Sequence, residues 1–289
     1  MFKKMKRFLG CALAACSVVA CAGTMTACET NNPEVEMTIE FNEKSYTLNY
    51  TLSRKITPNT VNHFLWLVDG DFYNNTVFHD YNHDSLKMYA GLYDYVTEEG
   101  KDYYSEDKSY QDFYDKHKDS FHKSVFLTKS EENPLNTVYG EFKNNGFNVK
   151  NGALSESFGS LVMYYHDKDT EESVFVKRAD GDGLSSRAYE ANSATSMFYM
   201  TLSTASKAQD DYCVFATLDE DSKSVLEDLQ QAINDFIDDN YSGEADDFTK
   251  SMSMKTDRED YFVKDQDSTE LFHIPNEPII IREIKVVKY

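Results

Sequence analysis

The stretch 57–81 constrains the fold more than any other part of this 289-residue chain. Pro58 suits the first turn of a helix, because proline lacks an N–H that would be unpaired there anyway. Apolar residues then recur at helical spacing, at Val61, Phe64, Leu65 and Val68. Gly70 is a suitable helix end, and the pattern of 73–81 is typical of a strand. The stretch therefore predicts a helix followed closely by a strand.

Several other blocks of the chain follow one another in a fixed order, and the first two alternate like half-buried strands. They are 35–41, 45–50, 139–147, 158–163, 192–203, 212–216 and 277–284. Together with 57–81, this order resembles the cyclophilin family, whose members have an Ala-Pro-x-Thr-Val-x-Asn-Phe helix and a Gly-Phe-Tyr-x-Gly-Thr turn. A Phe-His-Arg strand follows in that family, and Phe78-His79-Asp80 stands there in this chain.

The resemblance implies a mainly β fold. We expect a closed, roughly eight-stranded antiparallel barrel over 35–289, capped by two α-helices, the first centred on Phe64 and the second on Leu229. The rest of the chain forms acidic helical and loop insertions, which we place at about 92–138, 164–190 and 240–272. An amphipathic helix is predicted in the first insertion, and the third is interpreted as a surface excursion.

The N-terminus has the pattern of a secretory signal peptide over 1–20. Four basic residues precede an apolar run that is too short to span a bilayer. Val18-Val19-Ala20-Cys21 fits a lipobox, so we expect lipidation of Cys21, with Cys28 as the alternative, and a polar tether over 21–34. The expected location is the outer face of a bacterial cytoplasmic membrane. An ordinary secreted protein is the simpler alternative.

Charge and cysteine content narrow the function classes. The net charge of −21 disfavours nucleic acid and anionic lipid as partners, because like charges repel. Of the five cysteines, only Cys213 lies beyond residue 28, so no disulfide is expected within the body of the protein. We expect a monomer without a cofactor, and proline-containing exported polypeptides or an envelope protein as partners.

The chemistry that the resemblance implies is cis–trans isomerisation of prolyl bonds. A resonance barrier of about 18–20 kcal/mol opposes it. In the family an arginine donates a hydrogen bond to the amide nitrogen, and aromatic residues hold the proline ring. The arginine position is Asp80 here, whose carboxylate only accepts hydrogen bonds. We therefore predict no confident catalytic residue and weak or lost catalysis.

The other groove positions keep mainly aromatic character. The resemblance assigns the groove candidates Phe78, His79, Leu86, Tyr89, Met197, Tyr199 and Tyr212. Tyr199 stands for the family's socket phenylalanine and Tyr212 for its socket histidine, while a socket tryptophan would fall near Lys207. Arg178 or Arg187 could replace the missing donor from outside the motif.

Metal binding is not predicted. His79 and His83 have suitable side chains, but four residues along a strand separate them by about 13 Å. The acidic run 167–172 lacks the glycine and terminal glutamate of a calcium loop. Two hypotheses remain for the function. One is a cyclophilin-type protein that binds or acts on exported polypeptides, and the other is a non-enzymatic envelope scaffold that presents its insertions.

Overall fold

The structure is a computed structural model that describes residues 32–145, 154–164, 173–178, 183–188, 194–208, 210–255 and 269–289. The predicted signal peptide, Cys21, Cys28 and most of the predicted tether lie outside the described residues. So does the acidic run 167–172. None of the helices in the described ranges is long and apolar enough to cross a membrane.

Strands make up most of the described secondary structure. They are β1 (Glu34–Phe41), β2 (Lys44–Leu52), β3 (Thr76–Asn82), β4 (Lys87–Asp94), β5 (Glu106–Asp107), β6 (Val125–Phe126), β7 (Ser155–Glu156), β8 (Leu161–Met163), β9 (Ser173–Lys177), β10 (Leu184–Ala188), β11 (Phe198–Thr201), β12 (Lys207–Ala208), β13 (Cys213–Leu218), β14 (Thr249–Lys255), β15 (Thr269–Pro275) and β16 (Ile279–Lys288). The helices are α1 (Pro58–Asp69), α2 (Tyr110–His117), α3 (Glu220–Tyr241) and α4 (Ala245–Phe248), and Lys143–Asn145 forms a 3₁₀ turn.

Eight antiparallel strands close into a barrel in the order β11-β8-β13-β2-β1-β16-β3-β4, and β4 pairs back with β11. β5 is an extra strand that extends the sheet from β4. The predicted fold is confirmed. β16 lies between β1 and β3, so the barrel closes only through residues 279–288. Alternate residues of β1 point into the core, at Val35, Met37, Ile39 and Phe41.

Helix α1 fills one end of the barrel and is buried along nearly its whole length. Phe64 packs against the rings of Tyr73 and Phe215, with ring centroids 5.4 and 4.9 Å away. The helix begins at Pro58 and Gly70 caps its end, as the sequence predicts. This helix carries apolar residues on more than one face because it is buried on nearly all sides.

A buried carboxylate occupies the N-terminus of α1. Glu141 accepts hydrogen bonds from the backbone N–H groups of Asn59 and Thr60, at 3.1 and 2.8 Å, and from the Asn59 side chain at 3.0 Å. A helix N-terminus favours negative charge. Burial nevertheless raises the pKa of Glu141 to about 7, and the hydrogen bonds only partly offset that effect.

Helix α3 caps the barrel on the side of β2. Its buried face consists of Leu226, Leu229, Ile233 and Ile237, together with Ser222. The Ser222 hydroxyl accepts a 2.9 Å hydrogen bond from the backbone N–H of Asn49 in β2. This helix is centred where the apolar spacing predicts it.

Helix α2 lies in the first predicted insertion and packs on Trp66 of α1. Phe113 lies 4.8 Å from the Trp66 ring, and Phe121, just beyond α2, lies 5.0 Å from it. The Ser109 hydroxyl caps α2 by accepting a hydrogen bond from the Asp112 N–H.

The third insertion differs from the expected surface excursion. β14 and β15 form an antiparallel hairpin whose second strand lies against β3. Phe272 and Ile274 of β15 are buried in a cluster with Val77. The apolar residues of this segment are spaced singly among polar ones, so its average composition hides a strand with one buried face.

Candidate functional site

Asp80 lies on β3 beneath the β14–β15 hairpin. Strand register places Asp80, Tyr89 and Tyr199 side by side across β3, β4 and β11, so they share the outer face of the barrel. Oδ1 of Asp80 accepts a 2.9 Å hydrogen bond from the backbone N–H of His273, and the His273 ring nitrogen lies 3.2 Å away. The position that the resemblance assigns to a donor therefore holds an acceptor that is already engaged.

The Asp80 carboxylate is largely enclosed, with 6% of the residue exposed. This burial raises the pKa of Asp80, while the hydrogen bonds and charge of His273 act in the opposite direction. A group held in this way has little freedom to rotate toward a peptide. It cannot donate a hydrogen bond to an amide nitrogen when it is ionised.

His79 is enclosed by the same hairpin. Its ring is fully buried and lies 4.8 Å from Phe272 of β15 and 5.7 Å from Tyr93 of β4. Burial lowers the pKa of His79 to about 3, so the imidazole is neutral at ordinary pH. His79 belongs to the packing between the hairpin and the barrel and is not open to a peptide.

Four tyrosines form a continuous row of ring contacts next to Asp80. In order they are Tyr164, Tyr89, Tyr199 and Tyr212, and we call them the tyrosine row. Successive ring centroids lie 5.5, 5.2 and 6.1 Å apart. Tyr199 is completely buried, whereas Tyr164, Tyr89 and Tyr212 are each half-buried. The row keeps the aromatic character that the sequence predicts for the groove.

A lysine of the same chain lies on the tyrosine row. Nζ of Lys87 is 4.1 Å from the ring centre of Tyr199 and 5.4 Å from that of Tyr212. Both distances are within the range of cation–π attraction. Burial lowers the pKa of Lys87; nearby Glu156 raises it and Lys207 lowers it. The ammonium covers the ring that the resemblance assigns to the proline socket.

Three carboxylates flank the tyrosine row. The Tyr199 hydroxyl donates to Glu156 at 3.4 Å, and the Tyr164 hydroxyl donates to Glu270 at 2.7 Å. Asp80 is the third, and all three lie close enough to Tyr89 to raise the pKa of its hydroxyl further, after the main effect of burial. The site therefore combines aromatic faces with negative charge.

The remaining groove candidates lie elsewhere. Phe78 is fully buried in the main core, and Leu86 packs partly against that core. Met197 is fully buried in the cluster beneath the hairpin. Lys207, near the predicted tryptophan position, is exposed on β12 but pairs with Glu156 and lies close enough to Lys87 to lower its pKa. Arg187 is on β10 in a separate three-stranded sheet, and Arg178 is exposed directly after β9. Among the predicted groove positions that the structure describes, Asp80 and the tyrosines thus come together, with Lys207 at the edge of the same site.

Sequence reasoning did not single out five residues of this site. They are Lys87, Glu156, Tyr164, Glu270 and His273. Lys87 and Tyr89 are two residues apart on one strand and so share a face, which was an available signal for Lys87. Tyr164 and Glu270 lie in the predicted insertions, and Glu156 and His273 lie between the blocks that carry the resemblance. No local sequence signal places these four residues next to β3 or β4.

A comparison with models of known protein families agrees with this architecture. A family model described as "Cyclophilin type peptidyl-prolyl cis-trans isomerase/CLD" matches residues 36–256. Similar solved structures include two of a Cryptosporidium parvum cyclophilin type peptidyl-prolyl cis-trans isomerase, the second in the presence of the dipeptide Ala-Pro. Their identities are 15% and 14%, each with a TM-score of 0.43, covering 89% of this chain and 99% of the other. Among curated protein sequences, none matches the chain.

Proposed function

This chain belongs to the cyclophilin-type peptidyl-prolyl cis-trans isomerase family, and from that premise we propose that it is an exported lipoprotein that binds polypeptides with weak or lost isomerase activity. Its domain spans 35–289. The lipid anchor is at Cys21, or alternatively at Cys28, and holds the domain at the outer face of the bacterial cytoplasmic membrane. Its partners are exported polypeptides.

One observation carries the loss of catalysis: the carboxylate of Asp80 lies where the family resemblance expects a guanidinium, and His273 of the hairpin already binds it. Lowering the barrier requires an interaction that is stronger with the twisted amide than with the planar one. A hydrogen bond to the amide nitrogen does this, and a carboxylate cannot supply it. Lys87 is a cation on the same face of the barrel, but its ammonium lies over the Tyr199 ring.

The decisive experiment measures prolyl isomerisation of a short peptide by the purified domain, beside an active cyclophilin as the positive control. We expect the wild-type rate to be at or near the uncatalysed rate. Titration of the same peptide, followed by NMR, should still show saturable binding. Turnover close to that of the active cyclophilin would overturn the proposal.

The second candidate function is a non-enzymatic envelope scaffold. The complete burial of Tyr199 favours it, because a filled socket leaves no room for a proline ring. In that case the insertions, and not the groove, would bind the partner. The same titration separates the two candidates: the scaffold hypothesis predicts that no chemical shifts change along β3, β4 and β11.

A further inference from the structure

We propose that the tyrosine row binds cationic side chains of polypeptides, those of lysine or arginine, in place of a proline ring. This inference rests on the proposed function, since it names what the peptide-binding groove of a non-catalytic family member would recognise. It assigns a ligand chemistry to Tyr89, Tyr199 and Tyr212 that differs from the apolar ring expected from the family resemblance.

The first argument is the position of Lys87. Its ammonium lies 4.1 Å from the centre of the Tyr199 ring and 5.4 Å from that of Tyr212. The groove therefore already holds one cation, in the geometry by which aromatic faces attract cations. Lys87 is attached through a flexible four-carbon stem, so it can move aside for a competing cation without a change in the backbone.

The second argument is the charge around the row. Asp80, Glu156 and Glu270 lie along it, while Lys87 lies over the Tyr199 ring and Lys207 lies near Lys87. The hydroxyls of Tyr199 and Tyr164 donate to two of these carboxylates. The negative charge is thus held beside the rings, where it would also compensate the charge of a bound lysine or arginine side chain.

The third argument concerns association. The chain carries a net charge of −21, so its field attracts cationic polypeptides and repels acidic ones. A neutral proline ring gains nothing from this field. It would also have to displace Lys87 from Tyr199 without replacing its positive charge, which leaves Glu156 with less compensation. A lysine or arginine side chain replaces the charge that it displaces.

The test uses the variant Lys87→Met, which keeps an apolar stem and removes the ammonium. Three end-capped peptides of the same length differ only at their centre, which reads Lys-Pro, Lys-Ala or Gln-Pro. Dissociation constants are measured by NMR titration. Compared with wild type, we expect Lys87→Met to bind both lysine peptides about tenfold more tightly, as one released cation–π site implies. Affinity for the Gln-Pro peptide should stay unchanged.

Lys44→Met is the matched control, because Nζ of Lys44 lies 4.8 Å from the ring centre of Tyr46 on another part of the barrel. It removes the same charge and the same kind of contact, and should leave all three affinities at the wild-type value. An equal gain in both variants would attribute the effect to total charge and overturn the proposal.

Tyr212→Ala gives an independent measurement in the otherwise wild-type protein. Tyr212 is half-buried at the end of the row, and its loss should weaken lysine-peptide binding several-fold without lowering the melting temperature greatly. Equal affinity for Lys-Ala and Gln-Pro in both wild type and Lys87→Met would refute the cation preference. Failure of the proposed function would be seen separately, as isomerase turnover.

Discussion

Oδ1 of Asp80 accepts a 2.9 Å hydrogen bond from the backbone N–H of His273, 193 residues later in the chain. This bond joins β3 of the barrel to β15 of the hairpin. It uses the side chain at the position where the family resemblance expects the catalytic donor. The side chain at that position thus serves as the attachment point of the hairpin that covers it.

Asp80→Ala should loosen the hairpin. Removing the acceptor leaves the His273 N–H without its partner, and a lost buried hydrogen bond of this kind costs about 1–3 kcal/mol in the free energy of unfolding. Urea denaturation measures the loss, and hydrogen exchange should locate it in β14 and β15. Asp84→Ala, in the exposed turn after β3, is the control and should change stability by less than about 0.5 kcal/mol. Equal losses in the two variants would contradict the attachment.

Asp80→Arg should not restore prolyl isomerisation. Because the position is only 6% exposed and lies under β15, the guanidinium would have to displace the hairpin before it reached a peptide. Lys87 would still cover the Tyr199 ring. The rate of cis-to-trans conversion of a proline peptide, compared with that of Asp80→Ala, checks this. Turnover in the arginine variant alone would show that the hairpin does not block the site.

Glu141→Gln should change how stability depends on pH. The pKa of Glu141 is raised from its ordinary value of 4.5 to about 7 in the folded protein. The folded state therefore holds this proton more tightly than the unfolded state does. The contribution of Glu141 to the free energy of unfolding is fully present below pH 4.5 and is lost as the pH rises to about 7. The free energy of unfolding falls in this range by up to about 1.4 kcal/mol per pH unit.

The glutamine side chain offers α1 one acceptor oxygen in place of two, so the variant should be less stable by about 1–3 kcal/mol near pH 5. Its deficit relative to wild type should shrink toward pH 8, because only the wild type loses the contribution of Glu141. Denaturation midpoints at the two pH values measure the change. A deficit that stays constant across this range would contradict a raised pKa.

His79→Phe should make the domain more resistant to acid. The folded pKa of His79 is lowered to about 3, so its neutral form stabilises the fold above pH 6.5 and that contribution is lost as the pH falls toward 3. A phenylalanine packs between Phe272 and Tyr93 without titrating. The slope of unfolding free energy against pH should decrease by up to about 1.4 kcal/mol per pH unit in this window. His83→Phe, in the exposed turn after β3, should retain the wild-type slope.

Gly91→Ala should destabilise the strand pair β4–β11. Gly91 has φ of +103°, and an added Cβ would lie 2.4 Å from the carbonyl oxygen of Ser196. Gly100 has φ of +85° but open space around it, so Gly100→Ala measures the backbone strain alone. We expect about 1–3 kcal/mol from strain in both variants and a further loss in Gly91→Ala. Equal melting temperatures would refute the steric clash.

Local patterns predicted α1, β3 and α3 because each of them is defined by residues that are neighbours in sequence. Pro58, the spacing around Phe64 and Gly70 are sufficient to define α1. The apolar spacing around Leu229 similarly defines α3. In both helices the sequence period and the buried face coincide, so no distant contact is needed to identify them.

The covered site could not be predicted in the same way. Phe272 and Ile274 are two apolar residues in a polar segment, and their partners on β3 are nearly two hundred residues earlier. The contact between Lys87 and Tyr199 likewise depends on the pairing of β4 with β11. Sequence reasoning located the substituted Asp80, but the occupants of the groove depend on long-range pairing that no local pattern contains.

The placement of β16 between β1 and β3 has a consequence for the order of folding. An emerging polypeptide cannot complete the ring of strands until residues 279–288 have left the ribosome or translocon, because β16 pairs with both β1 and β3. β15 immediately precedes β16, so the strand that shields Asp80 has by then also emerged. Such distant pairing slows folding. A nascent chain stalled before residue 279 would lack a closed ring, so the barrel can close only after residues 279–288 have been translated.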